Sequence, residues 1–304
     1  MKPPPSLMFF SLLTMTVGLH ASPVAHWQFD ASITDDSIIT DGAQNLVLNG
    51  GDSGNIVSSP DVPGSAIFDP ISGLTRPNTG SVSMLGDKTT TGGSQSDNGV
   101  SRLQTTGTAL QTSNESFTFE TFIKVTTLSL NNGTVSIMGQ FEGTGAGGFN
   151  TGWITALRPN DGTPDTFYSV DVADTNNTND AVINAPWSVA DPTDGDWHHF
   201  AQVYDHSTGD VEAFLDYQSV GSANVDTSVD AFDRNTRLLF GVRFMTNPAE
   251  GTTSTVGLLM DEARYSNSAL TSNQFLQAIP EPSSLGLLLS GFATLSLLRK
   301  RGKQ

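Results

Sequence analysis

The chain has 304 residues and is strongly acidic, with 31 aspartates and glutamates against 14 lysines and arginines and a formal net charge of −17 at pH 7. Such a surface repels nucleic-acid phosphates and anionic lipids, which argues against a protein that binds DNA, RNA or a membrane surface. The sequence contains no cysteine, so disulfides and Cys-ligated metals are excluded and the fold depends on its own core. The length favours one all-β domain over two domains.

The N-terminus has the organisation of an export signal. Met1 and Lys2 supply a positive start, residues 6–19 are largely apolar, and Ala21 is a small residue suited to a cleavage site. We predict a signal peptide over residues 1–21. The alternative is an uncleaved N-terminal membrane anchor, for which the apolar stretch is short and interrupted.

The apolar residues that follow come in short alternating runs separated by turn residues, which is typical of many short strands. The clearest run is Ser116 to Val125 (SFTFETFIKV), which places Phe117, Phe119, Thr121, Ile123 and Val125 on one face. The other predicted strands are 24–29, 135–141, 152–157, 166–172, 197–204, 210–215, 238–244 and 258–265. Strands this numerous predict a two-sheet antiparallel sandwich or jelly roll.

Two stretches rich in Gly, Ser, Thr, Asn and Asp, residues 72–107 and 171–194, are predicted to be long loops that are either binding surfaces or decoration. A short helix is predicted from Thr271 to about Ala278. Thr271 and Gln274 form a capping box at its start, and Pro280 ends it.

The last twenty-five residues have three parts. Pro280-Glu281-Pro282 is followed by a hydrophobic segment over residues 283–298, with its apolar run from Leu285 to Leu298, and by a basic tail over residues 299–304. At about 1.5 Å of helical rise per residue the apolar run spans roughly 21 Å, short of the roughly 30 Å hydrocarbon core of a bilayer. A glycolipid-anchor signal or a simple tail anchor is the alternative.

This arrangement resembles the C-terminal signal of PEP-CTERM proteins, which Gram-negative bacteria sort through a membrane enzyme called exosortase. The resemblance implies an exosortase-type processing enzyme as a partner and a C-terminal helix that anchors the chain transiently in the inner membrane. The basic tail would stay in the cytoplasm and the body outside. The implied destination is the cell surface, the outer envelope or the extracellular matrix.

The body, residues 22–279, resembles the laminin-G-like jelly roll of the concanavalin A-like superfamily. Three segments in order carry the resemblance: residues 24–30 with Asp36-Ser37 shortly after, residues 194–221, and residues 257–271 (GLLMDEARYSNSALT). The chain departs from the family where Asp216 is followed by Tyr217 and not by glycine. In the middle segment His198 and His199 fall on opposite faces of a strand, so they cannot form a metal pair.

The resemblance implies two kinds of site. An aspartate in the last strand of such jelly rolls commonly reaches a calcium ion, which makes Asp261 the best candidate, with Asp30 and Asp36 as further ligands. The alternative is that Asp261 only accepts backbone hydrogen bonds. Carbohydrate binding by exposed aromatic residues is the leading activity by analogy, with Trp187, Tyr168 and Tyr217 as candidates, whereas Trp153 lies in an alternating run typical of a core residue.

An enzyme is not expected. Jelly-roll glycoside hydrolases carry two carboxylates on one strand, typically as Glu-x-Asp-x-x-Glu, and no such spacing occurs around Glu120, Glu212 or Asp261. We therefore predict an exported, exosortase-sorted surface or matrix protein that binds polysaccharide or a surface protein without catalysis. A structural matrix protein with no specific ligand and a divergent glycoside hydrolase are the alternatives.

Overall fold

The computed structural model of the chain describes residues 23–30, 39–41, 44–49, 56–91, 94–96, 102–105, 115–130, 135–144, 148–159, 166–173, 181–186, 191–225, 238–244 and 250–280. The predicted signal peptide, Asp36, Trp187 and the predicted sorting segment after Pro280 lie outside these residues. None of the helices in the described part of the chain is long and apolar enough to cross a membrane.

Alternating apolar and β-branched residues form antiparallel strands that pair into three sheets. Sheet A has the order β17 (Gln218–Asn224), β16 (Asp210–Leu215), β15 (His198–Asp205), β10 (Phe117–Ser129), β19 (Thr253–Ser266), β7 (Ser81–Thr91) and β4 (Ile56–Ser59), with β1 (Pro23–Trp27) paired to β19 and β8 (Ser94–Ser96) paired to β7.

Sheet B has the order β14 (Ala181–Pro186), β13 (Thr166–Ala173), β12 (Gly148–Pro159), β11 (Val135–Thr144), β18 (Leu239–Phe244), β9 (Arg102–Thr105), β3 (Gln44–Asn49) and β2 (Ile39–Asp41). Sheet C is small and has the order β20 (Gln277–Ile279), β5 (Ala66–Asp69) and β6 (Leu74–Pro77).

The main hydrophobic core lies between sheets A and B and contains large side chains from both. Its centre is aromatic: the ring of Phe117 on β10 lies 5.7 Å from Trp153 on β12 and 5.9 Å from Tyr265 on β19, measured between centroids. Trp27 from β1 meets Phe240 from β18 at 4.9 Å. Aromatic contacts of this kind dominate core energetics, so they hold the two sheets together. The predicted all-β antiparallel sandwich is confirmed.

The outer face of sheet A is covered by a third layer. Ile67 of sheet C and Leu276 pack on Phe122, and Phe275 and Leu270 join a second cluster with Val203. We call residues 270–279 the C-terminal strap, because this segment crosses sheet A before ending in sheet C. It closes one face of the sandwich with the chain's own residues.

All nine predicted strands are present, and the strand Asp210–Leu215 has the predicted bounds. The predicted loop over residues 72–107 is wrong, because it contains the eleven-residue strand β7 as well as β6, β8 and β9. Only Val82 and Met84 of β7 are core residues. The strand is held by pairing with β19 on one side and β4 on the other, which its own apolar pattern does not reveal.

The predicted loop over residues 171–194 is wrong at residues 171–173 and 181–186, which belong to β13 and β14. The predicted helix is shorter than expected, being a 3₁₀ turn at Ser272–Gln274. The start of this turn is as predicted, since Thr271 N donates to Gln274 Oε1 at 3.0 Å. Its continuation to Ala278 is wrong, because Phe275 and Leu276 are buried against sheet A in an extended conformation and β20 follows.

Candidate functional site

A fully buried group of charged side chains lies between sheet A and the strap. Glu120 on β10 and Arg264 on β19 are register partners, and Arg264 Nε donates to Glu120 Oε1 at 2.6 Å. Arg264 Nη1 also donates to Asp69 Oδ1 at 2.7 Å, and its Nη2 donates to the carbonyl of Gln274 at 2.7 Å. His199 Nε2 lies 2.8 Å from Glu120 Oε2. The group therefore joins two central strands of sheet A to sheet C and the strap.

The electrostatics of this group keep Glu120 ionised. Burial alone would raise the pKa of its carboxyl, but Arg264 and the hydrogen bonds from His199 and Leu276 N hold that pKa below its ordinary value. Leu276 N donates to Glu120 Oε2 at 2.8 Å. Because the partners of Glu120 are supplied by the protein and the carboxylate is closed to solvent, it has a structural role and no access to a substrate.

A second polar group surrounds Asp261, which precedes Arg264 by three residues on β19. Asn78, in the link between β6 and β7, donates from Nδ2 to Asp261 Oδ2 at 2.8 Å. Asp261 Oδ1 and Asn78 Oδ1 are buried and have no hydrogen-bond partner. Glu262 pairs with Arg76 and lies 2.7 Å from His26 Nε2. Asn78 was missed by the sequence reasoning because residues 72–107 were predicted to be a loop.

The chain is locally strained around this second group. Glu262 has φ 54° at an irregularity in the pairing of β19 with β10, and Phe29 has φ 56° just before Asp30. Asp30 Oδ1 accepts from Thr79 N at 2.7 Å and from Gly80 N at 3.2 Å. A Cβ on Gly80 would lie 3.2 Å from the carbonyl oxygen of Phe29, so glycine permits this close approach of two backbones. The end of β1 is thereby held against the link that carries Asn78.

Asp261 has the chemistry of a group that needs a cation or a proton. The pKa of its carboxyl is raised to about 8, chiefly by burial, with Asp30 adding to the rise and with Asn78 and Arg76 opposing it. Asp30 is therefore close enough to Asp261 to influence its pKa. Within the described residues, no three His, Cys, Asp or Glu side chains form a group that could hold a metal. Any cation here would need the amide oxygen of Asn78 and backbone oxygens as well.

His198 and His199 point to opposite sides of β15 and have different partners. His198 lies between two carboxylates, with Nδ1 2.8 Å from Asp216 Oδ2 and Nε2 2.9 Å from Asp194 Oδ1. The hydrogen bond to Asp216 raises the pKa of His198, partial burial lowers it, and the hydrogen bond to Asp194 raises it further. The resulting pKa is about 9. His198 therefore carries a positive charge at neutral pH.

The pKa of His198 is about 9 in the folded protein, above the 6.5 of the unfolded chain. The charged ring is therefore expected to stabilise the fold fully below about pH 6.5, and this stabilisation should be lost as the pH rises through about 9. Replacing Asp216 with asparagine keeps an acceptor and tolerates a positive φ, but it removes one charge, so the pKa of His198 should fall. An NMR titration of the His198 ring measures this. In the control Asp196→Asn the pKa should stay near 9, and an unchanged value in Asp216→Asn would contradict the assignment.

Tyr217 occupies a turn that the sequence left uncertain. Asp216 and Tyr217 have φ 50° and 67° and connect β16 to β17 without glycine. Two positive φ values are what a two-residue hairpin of this twist requires. Asp216 Oδ1 accepts from His199 N at 3.0 Å, and Tyr217 Oη donates to the carbonyl of Leu276 at 3.0 Å. The Tyr217 ring stacks on His199 at 4.6 Å, so one face of this predicted sugar-binding ring is already covered.

The other aromatic candidates belong to sheet B. Tyr168 lies in β13, where its register partners Leu157 and Ala185 are both core residues. Trp187 follows β14 directly in the chain but is outside the described residues. Trp153 is fully buried, as its alternating run predicted. Tyr217 lies on the strap side of sheet A, so the structure does not bring it to the sheet B candidate Tyr168.

Among the side chains that the structure describes, the outer face of sheet B has no pair of carboxylates. Its middle is formed by small or apolar residues, with Ile154 and Ala156 buried and Leu239 partly buried, and Asn184 on β14 is exposed. The buried carboxylates of the described residues are Glu120, Asp261 and Glu262, all of them on sheet A. A polysaccharide chain cannot reach any of these three.

The comparisons with known proteins agree with this architecture. Residues 97–274, more than half of the chain, match the laminin G family model Laminin_G_3, described as the concanavalin A-like lectin/glucanases superfamily. The chain belongs to this superfamily. No curated protein matches it.

Among solved structures, the chain is similar to the binding domain of botulinum neurotoxin DC in complex with SialylT, with a TM-score of 0.52, 10% identity and coverage of 89% of this chain and 51% of that one. It is also similar to the binding domain of Paraclostridial Mosquitocidal Protein 1, with a TM-score of 0.47, 13% identity and coverage of 89% and 52%. The chain thus spans about half the length of these structures. Identity at this level establishes the shared fold alone.

Proposed function

We propose that this protein is exported, sorted by an exosortase-type enzyme through its C-terminal motif, and displayed at the cell surface or in the extracellular matrix of a Gram-negative bacterium. There its laminin-G-like domain binds carbohydrate or protein ligands without catalysis. The observation that carries the binding role is membership of the lectin/glucanase superfamily in a chain whose buried carboxylates are out of reach of a substrate.

The strap covers one face of the sandwich, and this supports the proposal that a ligand binds elsewhere on the domain. The outer face of sheet A is filled by sheet C and by Phe275 and Leu276, so a large ligand has no room there. The edge of sheet B at β13 and β14 is then the surface for a ligand, with Trp187, which follows β14 in the chain, as the stacking residue. The botulinum neurotoxin DC binding domain is described in complex with SialylT, and the family model is described as lectin-like, so glycans are the first ligand class to test.

Retention on a glycan array and on extracellular polysaccharide tests the binding role. Replacing Trp187 with alanine should weaken retention about tenfold, equivalent to about 1.4 kcal/mol, because an aromatic ring in a binding site supplies contact area that alanine lacks. Leu74→Ala, at an exposed position of sheet C, is the control and should bind normally. Wild-type protein that binds no glycan and no surface protein would favour the purely structural alternative.

The glycoside hydrolase alternative has its own measurement. Purified protein should release no reducing ends from a panel of polysaccharides, since a retaining or inverting pair of carboxyls is required for that reaction. Release of reducing ends would overturn the proposal of a non-catalytic domain.

Mass spectrometry of both ends of the mature protein tests the sorting role. The proposal expects a new N-terminus after about Ala21 and loss of the apolar run Leu285 to Leu298. A mature chain that keeps this run would contradict sorting by an exosortase.

We further propose a calcium ion at Asp261, with Asn78 and Asp30 as neighbouring oxygen donors and Asp36 as the fourth residue. The unpartnered buried oxygens Asp261 Oδ1 and Asn78 Oδ1 support this, since calcium prefers carboxylate and amide oxygens. A bound cation would satisfy both atoms and keep Asp261 ionised.

Calcium at about one hundred times its dissociation constant should stabilise the domain by about 2.7 kcal/mol, which corresponds to a rise in melting temperature of roughly 5–10 °C over chelator. Asp261→Asn should abolish most of this difference, whereas the control Asp194→Asn should keep it. If the wild-type melting temperature is the same in chelator and in millimolar calcium, the proposed ion site is wrong.

A further inference from the structure

The outer face of sheet C differs in charge from the rest of this acidic protein. Strand alternation turns Ile67, Arg76 and Ala278 toward sheet A, with Asp69 and Leu74 on the same side, and the opposite face is formed by Ala66, Phe68, Thr75, Pro77, Gln277 and Ile279. No residue on that face is charged. Ile279 is 40% exposed, which makes it one of the few exposed large apolar residues in the described part of the chain, and Thr75, Pro77 and Gln277 are exposed as well.

The two charged residues of sheet C are both turned away from this face. Asp69 bonds to Arg264 of the buried ionic group, and Arg76 pairs with Glu262. Exposed acidic residues occur elsewhere on the described surface, at Glu115, Asp191, Asp194, Asp196, Asp210, Asp216 and Glu250. The outer face of sheet C is therefore a neutral, largely apolar patch on a chain with a net charge of −17.

The strap fixes this patch beside the exit point of the C-terminal segment. Its backbone is held at Gln274 by Arg264, at Leu276 by Glu120 and Tyr217, and at residues 277–279 by β5. The carbonyl oxygen of Ile279 lies 2.5 Å from the position of a Cβ on Gly64, so the last strand is also packed tightly against the preceding loop. The strap is consequently held to the domain along its whole length up to Ile279.

The distance from this exit point to the apolar run is short. Only residues 280–284 lie between Ile279 and Leu285, and five extended residues span at most about 17 Å. If the apolar run is inserted in a bilayer, sheet C cannot move far from the headgroups, and the tether makes their contact effectively intramolecular.

We propose that, while the C-terminal apolar run is in the membrane, the outer face of sheet C rests on the lipid headgroup surface. This inference depends on the membrane insertion contained in the proposed function. An acidic face in this position would be repelled by anionic lipids, and a neutral face with exposed Pro77 and Ile279 is not. The acidic remainder of the surface would point away from the membrane.

Site-specific quenching tests the contact in the full chain, reconstituted into vesicles of phosphatidylethanolamine with phosphatidylglycerol. Because the chain has no cysteine, Thr75→Cys and Ser222→Cys each provide a single exposed thiol for a fluorophore. A quencher on the lipid headgroup should reduce the Thr75 signal at least about twofold more than the Ser222 signal, since only the former faces the proposed contact. Ile279→Glu should reduce this difference, whereas Val57→Glu, a similarly exposed residue on β4, should leave it unchanged.

The outcomes separate this inference from the function on which it rests. Protein that does not float with the vesicles overturns membrane insertion and the contact together. Protein that floats but shows equal quenching at both positions overturns only the contact. Quenching at Thr75 that appears only after membranes containing the processing enzyme are added would assign the patch to that enzyme and overturn the lipid contact.

Discussion

Replacing Arg264 with methionine is expected to destabilise the domain by about 3–5 kcal/mol, because the change leaves the buried carboxylate of Glu120 without its main counter-charge. It also leaves the carbonyl of Gln274 without its donor and removes the ion pair with Asp69, whose Oδ1 keeps only the hydrogen bond from Ile71 N. Urea denaturation followed by tryptophan fluorescence gives the change in the free energy of unfolding.

A double variant isolates the role of charge in this result. In Arg264→Met combined with Glu120→Gln, the buried charge is gone while the amide oxygen can still accept from Leu276 N, so part of the lost stability should return. A double variant that is no more stable than Arg264→Met alone would mean that packing of the arginine, and not its charge, holds the strap.

Replacing Phe275 with alanine is expected to cost a similar amount, about 3–5 kcal/mol, because a fully buried aromatic side chain is removed from the cluster between sheet A and the strap. Its ring lies 5.1 Å from Phe214 and 5.4 Å from His199, and neither residue can follow it without moving its strand. The same denaturation experiment measures the cost.

Phe68→Ala is the matched control, since Phe68 is a partly exposed phenylalanine on the outer face of sheet C. It should cost clearly less, on the order of 1 kcal/mol. Limited proteolysis should also cut Phe275→Ala faster than wild type between residues 270 and 279. Equal costs for the two variants would contradict the role of Phe275 as the residue that fixes the strap.

Much of the sandwich could be predicted from alternation, because its strands bury one face and carry apolar residues at every second position, as Phe117 and Phe119 do. Strand β7 could not, because beyond Leu85 it is formed by small and polar residues and is ordered by its neighbours. The same limit applies to the strap. Thr271 and Gln274 start a helical turn locally, but tertiary contacts of Phe275 and Leu276 replace the helix with an extended segment.

The residues of the candidate sites could be predicted only where a single residue matched the family resemblance. Asp261 could be chosen because the family resemblance points to it, and its burial and unpartnered oxygen agree with a special role. Asn78 is brought to it across 183 positions in the chain, which no local pattern reveals. The partnership of Glu120 with Arg264 likewise depends on strand register, and neither residue was assigned a partner from the sequence.

The pairing of the first strand with the last long one has a consequence for how the molecule forms. His26 on β1 and Glu262 on β19 are 236 positions apart, and the strap that closes sheet A comes later still. Contacts between residues this far apart in the sequence form slowly, because the chain loses the entropy of a long loop before the contacts can stabilise it. A chain emerging N-terminus first therefore cannot complete its sandwich until β19 and the strap are free, and until then β1 lacks the strand with which it pairs.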